Sequence, residues 1–481
     1  MTNQHPSDPL AQTDEFKKII DFVSREALTY LDGLDSRLVR QPGANESVER
    51  FVAPLPEEGV GALQTLETLL TDGLQGTVTS AGPRFFHWVI GGSTPASLGA
   101  DWITSVLDQN NGGWDATPLA TKLEMISIDW LKDLFKLPPE WTGILTTGAT
   151  MANFTALAAA RQWWSEQHGI DIADQGFHGL PAPQVLSSGW IHSSARKALG
   201  MLGLGRSAVR VFANDRIGTL DLAAMEAALE ALDGAPAIIV GNAGEVNAGH
   251  FEPIEALADL ADRHNAWLHV DGAFGLFARI SPDHAHLAAG IERADSVIAD
   301  GHKWLNIPYD NGFAFVRDGS WLPRAFTAIA DYLPDPNDDR PSYIHLGPEM
   351  SRRARSFTVW ATLRAYGRAG YRSMVERNLS LAQRLAGLVD DHPDFERLAD
   401  VPLNIVCFRY RPAGVTEDQA DRLNEQLGEA ILMDGRVYAG TTVWDGKVAL
   451  RPAIVNWRTT ERDIDLLMDV LGELASSLDR A

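Results

Sequence analysis

Between residues 144 and 317 the chain is punctuated by short apolar runs, at 184–186, 208–212, 237–240, 266–270, 296–299 and 313–316, separated by helical or turn segments. Runs this short are too brief for core helices, and their continuous apolar character fits strands covered on both faces. Strand, helix, strand repetition of this kind predicts an α/β fold built on a mostly parallel sheet. A chain of 481 residues exceeds what one hydrophobic core organises, so further units are expected on either side.

The flanks supply them. Residues 14–34 place Phe16, Ile19, Ile20 and Val23 on one stripe, which predicts an amphipathic helix in an N-terminal arm, and a Pro/Gly-rich stretch at 54–61 separates it from the next helical segment. Beyond residue 400 the texture changes: 403–410 and 447–455 read as strands, 416–432 as a helix, and a last helix starts at the cap Thr460 with Asp463 three residues on. The expected organisation is a helical arm (1–80), a large α/β domain (81–380) and a small C-terminal α+β domain (381–481).

Charge and cysteine content exclude several classes of function. A formal charge of -23 and an isoelectric point near 4.9 disfavour nucleic acid or an anionic membrane surface as partner, because both require a concentrated positive face. The only cysteine is Cys407, so no intramolecular disulfide and no cysteine-based zinc site is expected. His284 and His286 have no third ligand at a familiar spacing, and no metal is expected. The start lacks the regions of a signal peptide, and no apolar run nears the roughly 20 residues of a membrane span, which points to a cytoplasmic protein without a membrane partner.

In an open α/β sheet, ligands bind beyond the carboxyl ends of the strands. Asn242 follows one expected strand, Asp271 a second, and Asp300-Gly301-His302-Lys303 a third. A carboxylate at a buried strand end needs a cationic partner, since desolvating it alone costs several kcal/mol. A protonated pyridine nitrogen would serve Asp271, and a plain helix or turn cap is the alternative. Lys303 lies between His302 and Trp304 where the chain turns back into the protein; a partly buried lysine has a lowered pKa and attacks carbonyls, whereas a surface lysine does nothing of the kind. Lys197 is its competitor. Thr146 to Asn153 opens a helical stretch whose free N–H groups suit a phosphate, although an ordinary N-cap looks much the same. His192 follows another strand-like run, where an imidazole either stacks on an aromatic ring or caps the next helix.

Together the segments HSSARKAL (192–199), HVDGAFG (269–275) and DGHKWLNIPYDNG (300–312) resemble the group II pyridoxal-phosphate-dependent decarboxylases, which act on aromatic amino acids, glutamate, histidine and 2,4-diaminobutyrate. The similarity runs over residues 82–458, and the lysine 32 residues after the strand-end Asp is its specific part. The resemblance implies a fold-type-I homodimer with active sites at the interface. It implies pyridoxal 5'-phosphate held as a Schiff base on Lys303, its pyridine nitrogen on Asp271 and its ring under His192. Ala149 and Thr150 would hold the phosphate beside His302, and Ala273 would pack against the ring. Tyr332, before the Pro/Asp-rich stretch 334–339, matches the family's catalytic tyrosine, and Arg355 matches a family arginine of undetermined role. Two segments depart from the family: 85–92 lacks the Pro-Thr of animal aromatic-amino-acid decarboxylases, and 242–247 lacks its paired threonines.

The expected reaction is conversion of an L-amino acid to its amine and CO2. An aldehyde synthase or aminotransferase on the same fold is the alternative within the cofactor class, and a non-catalytic paralogue the alternative outside it.

Overall fold

The computed structural model describes residues 8–331, 333, 335 and 340–478. Seven strands form the central sheet: β1 (Thr142–Thr146), β2 (Gln184–Ser187), β3 (Val209–Val211), β4 (Ala237–Asn242), β5 (Ala266–Asp271), β6 (Ser296–Asp300) and β7 (Gly312–Val316). Their order is β1-β7-β6-β5-β4-β2-β3, parallel except for β7, which runs antiparallel to both β1 and β6. Every residue of β4, β5, β6 and β7 is buried, the pattern of strands covered on both faces. The covers include the helices Ala149–Glu166 and Ile254–Arg263, whose Leu157, Leu257 and Leu260 are buried in the core.

A second sheet, with the order β10-β11-β9-β8, joins β8 (Phe395–Arg397), β9 (Phe408–Tyr410), β10 (Thr441–Trp444) and β11 (Lys447–Leu450) in antiparallel pairs. It carries the helices Glu417–Asp434 and Glu461–Ser476, each opened by a capping box, Thr416 with Gln419 and Thr460 with Asp463. Both strands expected here are shorter than the apolar runs suggested. Of 403–410 only β9 pairs as a strand, and of 447–455 only β11, because Pro452 has no N–H to extend the ladder.

A 36-residue helical stretch, Ser356–Asp391, broken at Gly367, connects the two sheets. At the N-terminus a 3-10 turn, Pro9–Glu15, leads into the helix Phe16–Asp32. None of that helix's residues is buried, so its apolar stripe has no full cover within the chain. Among the described residues no helix is long and apolar enough to cross a membrane.

Candidate active site

The carboxyl ends of β4, β5 and β6 deliver Asn242, Asp271 and Asp300 to one edge of the sheet, and the turn after β6 carries Lys303. Trp304 fixes that turn: its indole is fully buried and donates to Asn378 Oδ1 at 2.9 Å, so the neighbouring lysine is held out of the core and into the cleft. Lys303 Nζ lies 3.2 Å from Asp300 Oδ2 and 5.6 Å from the centre of the Phe274 ring, with its side chain 16% exposed. Lys303, His192, Asp271 and Ala273 line one cleft, together with Asn242 and Phe274. Lys197 is exposed on the helix Ser193–Met201 and is not among the cleft's lining residues.

Asp271 is 5% exposed. Its Oδ1 accepts the N–H of Ala273 at 3.1 Å and its Oδ2 accepts from Asn153 Nδ2 at 2.9 Å. The turn-capping role is therefore present, yet it satisfies only one oxygen, and among the described residues no lysine or arginine pairs with this carboxylate. His192 likewise combines two roles. It is the N-cap of the helix Ser193–Met201, its Nδ1 accepting from Ser194 N at 3.2 Å, while its ring also lines the cleft. Burial lowers the pKa of His192, an effect that the Asp271 charge partly opposes.

At the other end of the cleft, Asp300 Oδ1 accepts the N–H of Ala149 at 2.5 Å, the first residue of the helix Ala149–Glu166, and lies 3.5 Å from His302 Nε2. Gly148 precedes that helix with φ 153°, and a Cβ there would come 2.9 Å from His302 Cε1, so glycine is what allows the imidazole to reach the helix start. His302 stacks on Tyr309 with ring centres 4.2 Å apart, and its Nδ1 is buried without a hydrogen-bond partner among the described residues.

The segment 85–92 crosses directly behind the lysine. Gly91 N donates to His302 O at 3.2 Å, and a Cβ on Gly91 would come 1.8 Å from the carbonyl oxygen of Lys303. Trp88 and Val89 hold positive φ angles of 60° and 64°, a conformation that costs about 1 kcal/mol or more for such residues, and the Trp88 side chain stands 65% exposed. Arg355 donates to Asp310 Oδ1 at 2.8 Å and Glu349 Oε2 at 3.3 Å and is not among the cleft's lining residues. Tyr332 lies outside the described residues.

Three contributors escape sequence reasoning. Asn153 sits in a run of buried small residues, ATMANFTALAAA, where a lone amide was the available signal. Arg451 is a guanidinium inside the apolar run VALRPAIV; it is buried, its charge acts on both His192 and Glu245, and its Nη1 has no hydrogen-bond partner among the described residues. Glu245 accepts the N–H groups of Asn247 and Ala248 and, despite Arg451, burial raises its pKa.

A lysine and a buried, unpaired carboxylate in one cleft at the carboxyl edge of a mostly parallel sheet define the class of enzymes that carry pyridoxal phosphate. The pyridoxal-dependent decarboxylase conserved domain matches residues 56–411. The chain is 28% identical over 436 residues to an aromatic-L-amino-acid decarboxylase of Bacillus atrophaeus, covering 89% of this chain and 88% of that protein. It is 31% identical over 439 residues to an L-2,4-diaminobutyrate decarboxylase of Rhizobium meliloti (strain 1021), covering 89% and 84%. The crystal structure of Oryza sativa TDC with PLP and tryptamine superposes with a TM-score of 0.89 at 25% identity, covering 98% of this chain and 99% of that one. The chain belongs to the pyridoxal-dependent decarboxylase family and is a carboxy-lyase acting on an amino acid.

The residues present fit the family's cofactor. Among the described residues Asp271 has no lysine or arginine partner for its buried charge, Ala273 lines the same cleft beside it, and the buried Nδ1 of His302, without a hydrogen-bond partner among them, stands beside the helix start where a phosphate would bind.

Proposed function

We propose that this chain removes the α-carboxylate of an L-amino acid with the residue roles that follow, in a cytoplasmic homodimer. The observation that carries the assignment is Asp271, a carboxylate 5% exposed with hydrogen bonds but no cation, on the same cleft as Lys303. Pyridoxal phosphate, when bound, supplies a carbonyl carbon for amine condensation and a ring that takes up the electron pair left by departing CO2.

Lys303 is the amine that holds the cofactor and yields to the substrate amine. Asp271 keeps a proton on the ring nitrogen by charge, and His192 and Ala273 confine the ring from its two faces. Ala149, Thr150 and His302 hold the phosphate, which requires Asp300 to release the Ala149 N–H it accepts in this structure. Asp300 is then free to act on Lys303 Nζ alone. The hydroxyl of Tyr332, a residue outside the described ones, delivers the proton to the substrate Cα after CO2 leaves, in the active site of the partner subunit.

The relatives act on aromatic and on diamino acids by name, so the deciding experiment is CO2 release and amine analysis over a panel led by tryptophan, tyrosine, phenylalanine and 2,4-diaminobutyrate. Amine formed in equal amount to CO2 supports the assignment. An aldehyde or keto acid as the main product overturns simple decarboxylation, and a purified chain that binds no pyridoxal phosphate overturns the whole reading.

A further inference from the structure

Five buried side chains behind the cleft form a hydrogen-bond chain whose proton directions are fixed. The indole Nε1–H of Trp267 can only donate, and it gives its proton to Ser296 Oγ at 2.9 Å. Ser296 Oγ also lies 2.9 Å from His269 Nδ1, and with Ser296 donating there His269 carries its proton on Nε2 and donates to Asn153 Oδ1 at 2.8 Å. That orients the Asn153 amide with Nδ2 towards Asp271 Oδ2 at 2.9 Å and Ser194 Oγ at 3.2 Å. The flipped amide is excluded independently, because it would set a carbonyl oxygen against a carboxylate oxygen at 2.9 Å. Ser194 Oγ, accepting from Asn153, gives its proton to His192 Nδ1 at 2.6 Å, which also accepts the Ser194 N–H. His192 is thereby left with its proton on Nε2. Burial lowers the His269 pKa to about 4, so this link stays neutral at physiological pH.

We propose that Asn153 is a positioning residue that, through one amide, fixes the orientation of the Asp271 carboxylate and directs the Ser194 hydroxyl onto His192 Nδ1, reinforcing the proton position that the Ser194 N–H sets there. This rests on the assignment of Asp271 and His192 to the cofactor ring made above. It goes further in placing control of both groups in a single side chain that lines no part of the cleft and in a chain of donors ending at Trp267. Losing the amide removes one charge-assisted hydrogen bond from Asp271 and loosens the Ser194 hydroxyl, one of the two donors on His192 Nδ1, the Ser194 N–H being the other.

The test uses the full-length apoprotein titrated with pyridoxal 5'-phosphate, reading affinity and the pH at which the absorption band of the bound cofactor titrates. Asn153→Leu is expected to weaken affinity by about ten- to a hundredfold, the worth of one charge-assisted hydrogen bond, and to shift the titration. Ser296→Ala, two hydrogen bonds away from Asn153, should shift the titration in the same direction by less, which a purely local packing role would not do. Asn153→Asp should lose more affinity than Asn153→Leu, since it sets two carboxylates together, and it serves where the leucine variant does not fold. Affinity within about twofold of the native chain together with an unchanged titration in Asn153→Leu overturns the proposal. Asp271→Ala run alongside separates the two levels: loss of affinity there with none at Asn153 sinks only this inference, whereas native affinity in Asp271→Ala sinks the assignment of Asp271 itself.

Discussion

Glu252 shows how burial alone sets the behaviour of one residue near the site. Its carboxylate accepts from Asn242 Nδ2 at 2.8 Å, from Asn242 N at 3.2 Å and from Ser188 Oγ, all of which favour the ionised form. Desolvation outweighs them and raises its pKa from 4.5 to about 7. The folded protein therefore holds this proton more tightly than the unfolded chain does. Stability is highest below pH 4.5 as far as this group is concerned, and falls as the pH climbs from 4.5 towards 7 by about 1.4 kcal/mol per unit. Glu252→Gln should flatten that slope, which urea denaturation at pH 5 and pH 7.5 measures; an unchanged difference between the two pH values would show that Glu252 does not titrate there. Lys303 permits a more direct check. Lys303→Ala should abolish CO2 release and the visible absorption of the bound cofactor, and borohydride reduction of the native protein followed by peptide mapping should find the pyridoxyl label on Lys303. Label on Lys197 instead would sink the assignment, against the exposed position of that residue.

At the scale of elements, the turn after β6 and the segment 85–92 form one unit, because Gly91 packs its Cα against the backbone of Lys303. A methyl group there meets the Lys303 carbonyl oxygen at 1.8 Å, and neither backbone can yield without moving the lysine. Gly91→Ala is therefore expected to cost at least about 2 kcal/mol and to reduce cofactor occupancy, measured by thermal denaturation and by absorbance of the purified protein. Native occupancy in that variant would show the segment to be mobile. The sequence made the central strands legible, since β4, β5 and β6 are buried on both faces and their residues are almost all apolar. It left β1 unread, because five residues interrupted by Gly143 give no pattern distinct from the turns around them. The long helical stretch Ser356–Asp391 was also unread; its apolar positions are out of register across the break at Gly367, so no single stripe runs through it. Within the site, motif residues at strand ends were legible because strand-end position and chemistry coincide. Asn153 and Arg451 were not, because their importance lies in interactions across 100 residues or more of sequence, with Asp271 and Glu245 respectively.

The single chain leaves apolar surface that a second copy would cover. The N-terminal helix Phe16–Asp32 buries none of its residues, with Phe16 70% and Ile20 53% exposed. The helix Pro95–Leu107 exposes Trp102, Ile103, Val106 and Leu107 on one face. Exposed apolar patches of this kind mark an interface. Ile103 and Val106 are 55% and 75% exposed in the single chain, so replacing both by aspartate removes little internal packing and should leave the fold intact. In a homodimer the same change buries two unpaired charges in an apolar contact and should convert it to monomer. Sedimentation velocity reads this directly. Because each chain carries a formal charge of -23, the proposed dimer should also tighten as salt is raised and the mutual repulsion is screened. If Tyr332 acts in the partner's active site, the monomeric variant should still bind pyridoxal phosphate yet release amine far more slowly. Retention of both dimer and full turnover in Ile103→Asp, Val106→Asp would place the interface elsewhere.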